Sequence, residues 1–263
     1  MVRSYRLVGM ILPLGDDNRD RQIVPWVTYA LLAANILVFV LLQQFGANAE
    51  FTYAFSAVPE EIVTGEDLVT QGREYTDPVS GTRYRMPGLQ PTPLSVYLTL
   101  ITSMFMHGGF AHILGNMLYL WIFGDNIEDR VGHGRFLLFY VLCGIAAALS
   151  HVFATYALDG STTTPMLGAS GAISGVLAGY VLLFPRRRVR VILLRILMAV
   201  PAWVAILIWF AFQLINGMGV LGSGSQAGGV AYAAHIGGFL AGGVLIWLFV
   251  PRQAPPRRSK RLR

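Results

Sequence analysis

From Ile196 to Pro251 the chain carries no Asp, Glu, Lys or Arg. A water-facing surface cannot be built over such a run, whereas a lipid-facing one can. A membrane-spanning helix needs about 20 mostly apolar residues, so the run is too long for one crossing, and the glycine-rich stretch 217–229 divides it into two. The rest of the chain agrees. It is 54% hydrophobic and 13% charged, against about 25% charged in a soluble domain, and its mean hydropathy is +0.55. Disorder, a collagen-like repeat and a disulfide-stapled scaffold are excluded, since the lone Cys143 cannot form an internal disulfide.

Charge-free windows then give six spans, at 24–42, 110–124, 136–157, 168–184, 191–215 and 229–250. Backbone polar groups must be satisfied within the segment itself inside lipid, and the alternating pattern of barrel strands is absent. The expected fold is an all-α polytopic membrane protein, organised as an N-terminal segment 1–22, a six-span membrane domain 23–250 with a long outer loop at 45–97, and a basic tail 251–263. Ala47-Asn48-Ala49 resembles a signal-peptide cleavage site. The preceding apolar run, however, exceeds the usual core of about 7–15 residues, and Asp16, Asp17 and Asp20 lie among its arginines. The segment is expected to stay as the first span.

Basic residues orient the bundle. With six spans, seventeen Lys and Arg fall on the side of the termini and only Arg73, Arg83 and Arg85 on the other, which puts both termini in the cytoplasm. The net charge of +6 is therefore a topology signal, and no nucleic-acid partner is expected. The 45–97 loop carries seven acids and three bases and ends in the apolar stretch 94–106, expected at the membrane interface.

Polar and ionisable groups inside a membrane are costly and tend to be functional. His112 and Asn116 stand four apart on span two, hence on one face, where both can donate hydrogen bonds; interhelical polar glue is the bland reading. Span four opens Gly168-Ala169-Ser170-Gly171, and Gly171, Gly175 and Gly179 continue at four-residue spacing; Gly238 and Gly242 on span six repeat it. Such stripes let helices approach closely, which explains the glycines but not His235 between them. A histidine on the tightest-packed face needs a partner, and a serine hydroxyl is one. Ser170 and His112 begin their spans, and His235 lies about six residues into its own, roughly 9 Å below the outer boundary at 1.5 Å per residue. All three share the outer third of the bilayer. Ser174, one turn deeper, is the weaker nucleophile. His133 is expected to be solvated and His151 structural. Of the carboxylates after residue 90, Asp125, Glu128 and Asp129 lie across the membrane, and Asp159 lies in an outer loop, so a Ser-His dyad is favoured over a triad. No metal or cofactor is expected.

The motifs His107-Gly108-Gly109-Phe110-Ala111-His112-Ile113-Leu114-Gly115-Asn116, Gly168-Ala169-Ser170-Gly171 and Ala234-His235-Ile236-Gly237-Gly238, on spans two, four and six, resemble the rhomboid family of intramembrane serine proteases. The early Pro13-Leu14-Gly15-Asp16-Asp17-Asn18 is similar to bacterial members. The resemblance covers about 100–250. It implies a rhomboid-like six-helix bundle in the cell (inner) membrane, with Ser170 as nucleophile and His235 as general base. It also implies His112, Asn116 and the Ser170 backbone N–H as an oxyanion hole. Two features differ: some members carry a tyrosine four residues after the nucleophile, where this chain has Ser174, and the Trp-Arg pair of many first outer loops is missing between Phe45 and Tyr97. The expected activity is serine endopeptidase cleavage of transmembrane helices of membrane proteins near their outer ends, with lipid as the surrounding partner. An inactive rhomboid-like binder would lack Ser170 or His235, and a channel or transporter would line its whole depth with polar residues.

Overall fold

The computed structural model describes residues 12–76, 83–193, 196–222 and 226–251; residues 1–11 of the N-terminal segment and 252–263 of the basic tail lie outside them. In chain order the elements are β1 (Leu12–Asp16), α1 (Trp26–Leu37), α2 (Ala49–Ala54), α3 (Pro59–Thr64), β2 (Arg73–Thr76), β3 (Arg83–Met86), α4 (Thr99–Thr102), α5 (Phe110–Tyr119), α6 (Asp125–Val131), α7 (His133–Ala157), α8 (Ser170–Leu183), β4 (Arg188–Leu193), β5 (Ile196–Pro201), α9 (Ala202–Gly222) and α10 (Gln226–Phe249). Single π-helical turns extend α1 through Val38–Leu42 and join α5 to α6 through Leu120–Gly124.

The bundle is built around α8, in which every residue from Gly171 to Tyr180 is buried. A helix apolar all round belongs at the centre, and here its glycines decide how close the neighbours come. A Cβ on Gly238 would overlap the Gly171 carbonyl, and one on Gly242 would overlap the Gly175 backbone. On the other side a Cβ on Gly175 would stand 2.5 Å from Cys143 Sγ, and one on Gly171 2.5 Å from the Ala147 Cβ. Helix α8 thus lies between α7 and α10, with backbone contact to α10 as the glycine spacing predicts and side-chain contact to α7 besides.

The end of the bundle that carries α6 is held by carboxylates. Glu128 on α6 is fully buried and accepts from Val27 N (2.9 Å), Thr28 N (2.7 Å) and Thr28 Oγ1 (2.7 Å). It thereby satisfies first-turn donors of α1 that have no intrahelical acceptor. Asp129 takes the Gln22 and Ile23 N–H groups in the same way. His133 is exposed, as its loop position leads one to expect, and its Nδ1 also bonds the same Glu128 carboxylate. Asp16 accepts from the Tyr180 hydroxyl and the Asn126 amide. Burial pushes its carboxyl up to about 6 despite the Tyr180 bond, so Asp16 is a costly charge that the surrounding donors hold in place. Arg187 bonds Asn126 and Asp20, and Arg21 pairs with Asp125. These contacts tie the Pro13–Asn18 stretch to the C-terminal end of α8.

The all-α expectation is also corrected. Strands β1, β4 and β5 form an antiparallel sheet in the order β1-β4-β5, and β2 pairs with β3 in a hairpin. Span five therefore starts at Ala202, not at 191. The sign was in the residues: Arg188 and Arg190 are exposed while Val189 and Val191 are fully buried, the period-two alternation of a half-buried strand.

Among the described residues, His133–Ala157 and Tyr232–Phe249 are long and apolar enough to cross a membrane alone, and a bent pair, Val96–Phe105 with Phe110–Val131, makes a third candidate. Trp26–Leu42, Ser170–Leu183 and Ala202–Ile215 are shorter apolar helices. The chain is a mostly helical multi-pass membrane protein with apolar side chains such as Phe153, Val244 and Leu248 facing outward.

Removing the Glu128 carboxylate should loosen α1. An unpaired buried donor costs about 1–3 kcal/mol, and each 1 kcal/mol is worth about 2–4 °C at this size. Glu128→Ala is expected to lower the thermal unfolding midpoint of the purified protein in detergent by about 4–8 °C for a loss of about 2 kcal/mol. Glu128→Gln, which keeps an acceptor oxygen, should lose less; equal midpoints for both variants and the parent would remove the cap from the account.

Candidate active site

Ser170 is the first residue of α8, so its backbone N–H belongs to the first turn, whose donors find no partner within the helix. The chain reaches it through Gly168 at φ +119°, a conformation that side chains rarely adopt. Space demands glycine there as well, because a Cβ would stand 2.7 Å from His112 Nε2. The loop before the serine is pinned by backbone contacts to earlier segments of the chain. Gly168 N donates to the Ser103 carbonyl at 2.8 Å, Ala57 and Met166 exchange both backbone hydrogen bonds, and Glu60 N donates to the Thr162 carbonyl. The long 45–97 segment thus grips the loop carrying the serine.

Across the glycine contact, α10 brings His235 Nε2 to 2.7 Å from Ser170 Oγ. The other ring nitrogen, Nδ1, is 2.8 Å from Gln213 Oε1 on α9. An amide oxygen can only accept, so Nδ1 carries the proton and Nε2 is the acceptor for the serine hydroxyl. Ser174 is fully buried and donates its hydroxyl to the Ser170 carbonyl at 2.7 Å, a back-bond along its own helix. Both ring nitrogens of His235 are occupied by Ser170 and Gln213, and among the described residues no ion pair joins it to a carboxylate.

The donors expected opposite the serine stand on α5, which leaves the 96–105 segment at an 82° bend. His112 Nδ1 accepts from Gly108 N at 3.3 Å, which places the proton of the neutral ring on Nε2, the atom beside Gly168. Asn116 Nδ2 donates to His107 Nε2 at 2.9 Å, and its second N–H remains for another acceptor. His107 is fully buried; its backbone is held by a reciprocal pair of hydrogen bonds with the Gln43 amide, at 3.0 and 2.9 Å. The structure therefore brings Ser170, His235, His112 and Asn116 to one place. His151 is buried on α7.

A cavity of about 170 Å³ adjoins the serine, lined by Ser103, Met104, His112, Gly168, Ala234 and His235 among others. A second, of about 220 Å³, lies between α5 and α9 and reaches Ser170 past Asn116, Trp209 and Gln213. Gln213, Gln43 and His107 escaped assignment from the sequence. His107 stood inside a recognised motif without a role, and the two glutamines are polar residues at the ends of apolar runs, the one available signal.

Residues 95–252 match the model of the Rhomboid domain. Among curated proteins, the chain is 31% identical over 247 residues to Rhomboid protease GluP of Bacillus subtilis, covering 90% of this chain and 38% of that protein. It is 32% identical over 176 residues to the mitochondrial Rhomboid protein 1 of Saccharomyces cerevisiae, covering 66% and 48%. It is 28% identical over 182 residues to the human mitochondrial presenilin-associated rhomboid-like protein, covering 62% and 43%. The chain spans less than half the length of each of these relatives. With more than half of its residues matched by the domain model, the chain belongs to the rhomboid family.

Proposed function

We propose that the chain is an intramembrane serine endopeptidase that cleaves transmembrane helices of membrane proteins near their outer ends, using Ser170 and His235 as a dyad. The observation that carries this reading is the 2.7 Å contact between Ser170 Oγ and His235 Nε2 within an apolar bundle. As Oγ bonds to the scissile carbonyl carbon, its proton passes to Nε2. Collapse of the tetrahedral intermediate breaks the C–N bond, and the amine leaves with that proton. A water then attacks the acyl-serine, gives a proton to His235, and releases the carboxylic acid with Ser170 restored.

The negative charge on the carbonyl oxygen needs donors already in place, which are worth a few kcal/mol each in a site shielded from water. His112 Nε2–H, the free N–H of Asn116 and the Ser170 backbone N–H supply them in this reading. A helical substrate must first unwind, because its carbonyls are engaged in i→i−4 bonds. The 170 Å³ cavity, walled by glycine and alanine, favours a small side chain at the cut bond. One relative, from Bacillus subtilis, is named a rhomboid protease, which supports the activity. No metal or cofactor takes part. The membrane domain 23–250 is read as six spans in the cell membrane, with 45–97 outside and the segments 1–22 and 251–263 in the cytoplasm.

Ser170→Ala and His235→Ala should each abolish cleavage of a transmembrane substrate in proteoliposomes while thermal unfolding stays near that of the parent. The double variant should be no worse than either single one, because the two act as a unit; residual turnover in either single variant argues against the dyad. His112→Ala or Asn116→Ala should lower kcat by roughly 10- to 10³-fold, as for loss of one oxyanion donor, and parental rates in both would return the pair to packing. Orientation is tested separately, by cysteine accessibility in intact cells. Labelling of a cysteine placed in the 45–97 loop and protection of one in the tail are expected, and the reverse pattern would overturn the topology.

A further inference from the structure

We infer that Gln213 is a positioning residue for His235: from α9 it fixes the ring in the tautomer and orientation that the serine needs. The inference rests on the Ser-His reading above and adds a third member, neutral and on a different helix. His235 is held at two atoms only. Nε2 meets Ser170 at 2.7 Å and Nδ1 meets Gln213 Oε1 at 2.8 Å. The rings near it, Trp209 at 6.2 Å and Tyr232 at 6.1 Å between centroids, limit its tilt but do not choose which nitrogen bears the proton. That choice matters, because a proton on Nε2 would leave no acceptor for the Ser170 hydroxyl. Gln213 Oε1 accepts only, and so holds the proton on Nδ1. Position 174, four residues below the nucleophile, offers nothing in its place, since the Ser174 hydroxyl is turned back on the Ser170 carbonyl.

An amide does this differently from a carboxylate. It orients the ring without a negative charge, so it lends little to the imidazolium formed during catalysis. In an apolar bundle that is a workable compromise: a buried carboxylate there would itself be expensive. The groups facing the ring are Ser170 from α8, Gln213 and Trp209 from α9, Tyr232 from its own helix and, at longer range, His112 from α5.

The placement also links the base to α9. Helix α9 forms one wall of the 220 Å³ opening between α5 and α9 that reaches Ser170, and Gln213 stands in that wall beside Trp209.

The test is full-length protein in proteoliposomes with a cleavable transmembrane substrate, measured from pH 5 to 9. Gln213→Met keeps the bulk and removes the acceptor. It should lower kcat by about 10- to 100-fold, smaller than the loss from a wrongly fixed tautomer in a triad, with KM within about twofold because substrate contacts remain. Gln213→Glu restores an acceptor and adds charge. It should recover most of kcat and move the acidic limb of the pH profile upward by about 1 pH unit or more, as an opposite charge beside an imidazole does. A merely structural glutamine would give neither the loss of kcat at steady KM in Gln213→Met nor its recovery in Gln213→Glu, whereas the limb shift reports only that position 213 faces the ring. Parental kcat in Gln213→Met overturns the proposal while Ser170→Ala and His235→Ala remain inactive. Cleavage by either of those two controls overturns the dyad instead, and the positioning role with it.

Discussion

Backbone contact between α8 and α10 is the constraint on which the rest of the molecule depends. Where Gly171 faces Gly238 and Gly175 faces Gly242, no side chain separates the two helices. Lipid offers no hydrophobic force to press helices together, so association must come from close packing and from polar groups satisfied across it. That closeness sets the reach of one imidazole. With His235 one turn from Gly238 on α10, and Ser170 adjoining Gly171 on α8, the two functional atoms fall within hydrogen-bond distance. A Cβ at any of these glycines would push the helices apart and draw the histidine off the serine.

The polar chemistry is sorted to the two ends of this packed centre. At the end that carries α6, Glu128, Asp129, Asp125 and Asp16 close off backbone donors and arginines. At the serine end, neutral groups do the comparable work: Gln43 fixes His107, His107 engages Asn116, and Gln213 engages His235. The buried charges are paired or hydrogen-bonded, and amides and imidazoles surround the serine, as the cost of burying an unpaired charge requires. Of the donors around the serine, His112 and Asn116 are both held by partners of their own, so the site is set before substrate arrives.

Much of this could be read in the sequence, for identifiable reasons. Small residues at four-residue spacing can mean little else in an apolar helix, so the α8–α10 contact and the meeting of Ser170 with His235 followed directly. His112 and Asn116 shared a face because they are one turn apart. What escaped was set by contacts between distant segments. The strand Arg188–Leu193 was absorbed into a span because the charge-free run beside it dominated, although its arginines and valines alternate. Gln213 looked like one polar residue in an apolar helix, and nothing local says that it faces α10. Glu128 pairs with the start of α1 across about a hundred residues, a pairing that no periodicity reveals. The count of six crossings rested on apolar length, and the short α8 and the interrupted first and second helices do not reach that length alone.

The grip of the 45–97 segment on the serine loop bears on how the molecule is assembled. Glu60 and Thr162 are 102 residues apart in sequence, Phe55 and Thr102 are 47 apart, and the Ala57–Met166 bridge spans a similar distance to the former. Closing loops of that size carries an entropy cost that local helix formation does not. The helices can therefore form before the chain around Gly168 is locked, and the shape of the approach to Ser170 waits on contacts between segments far apart in the chain.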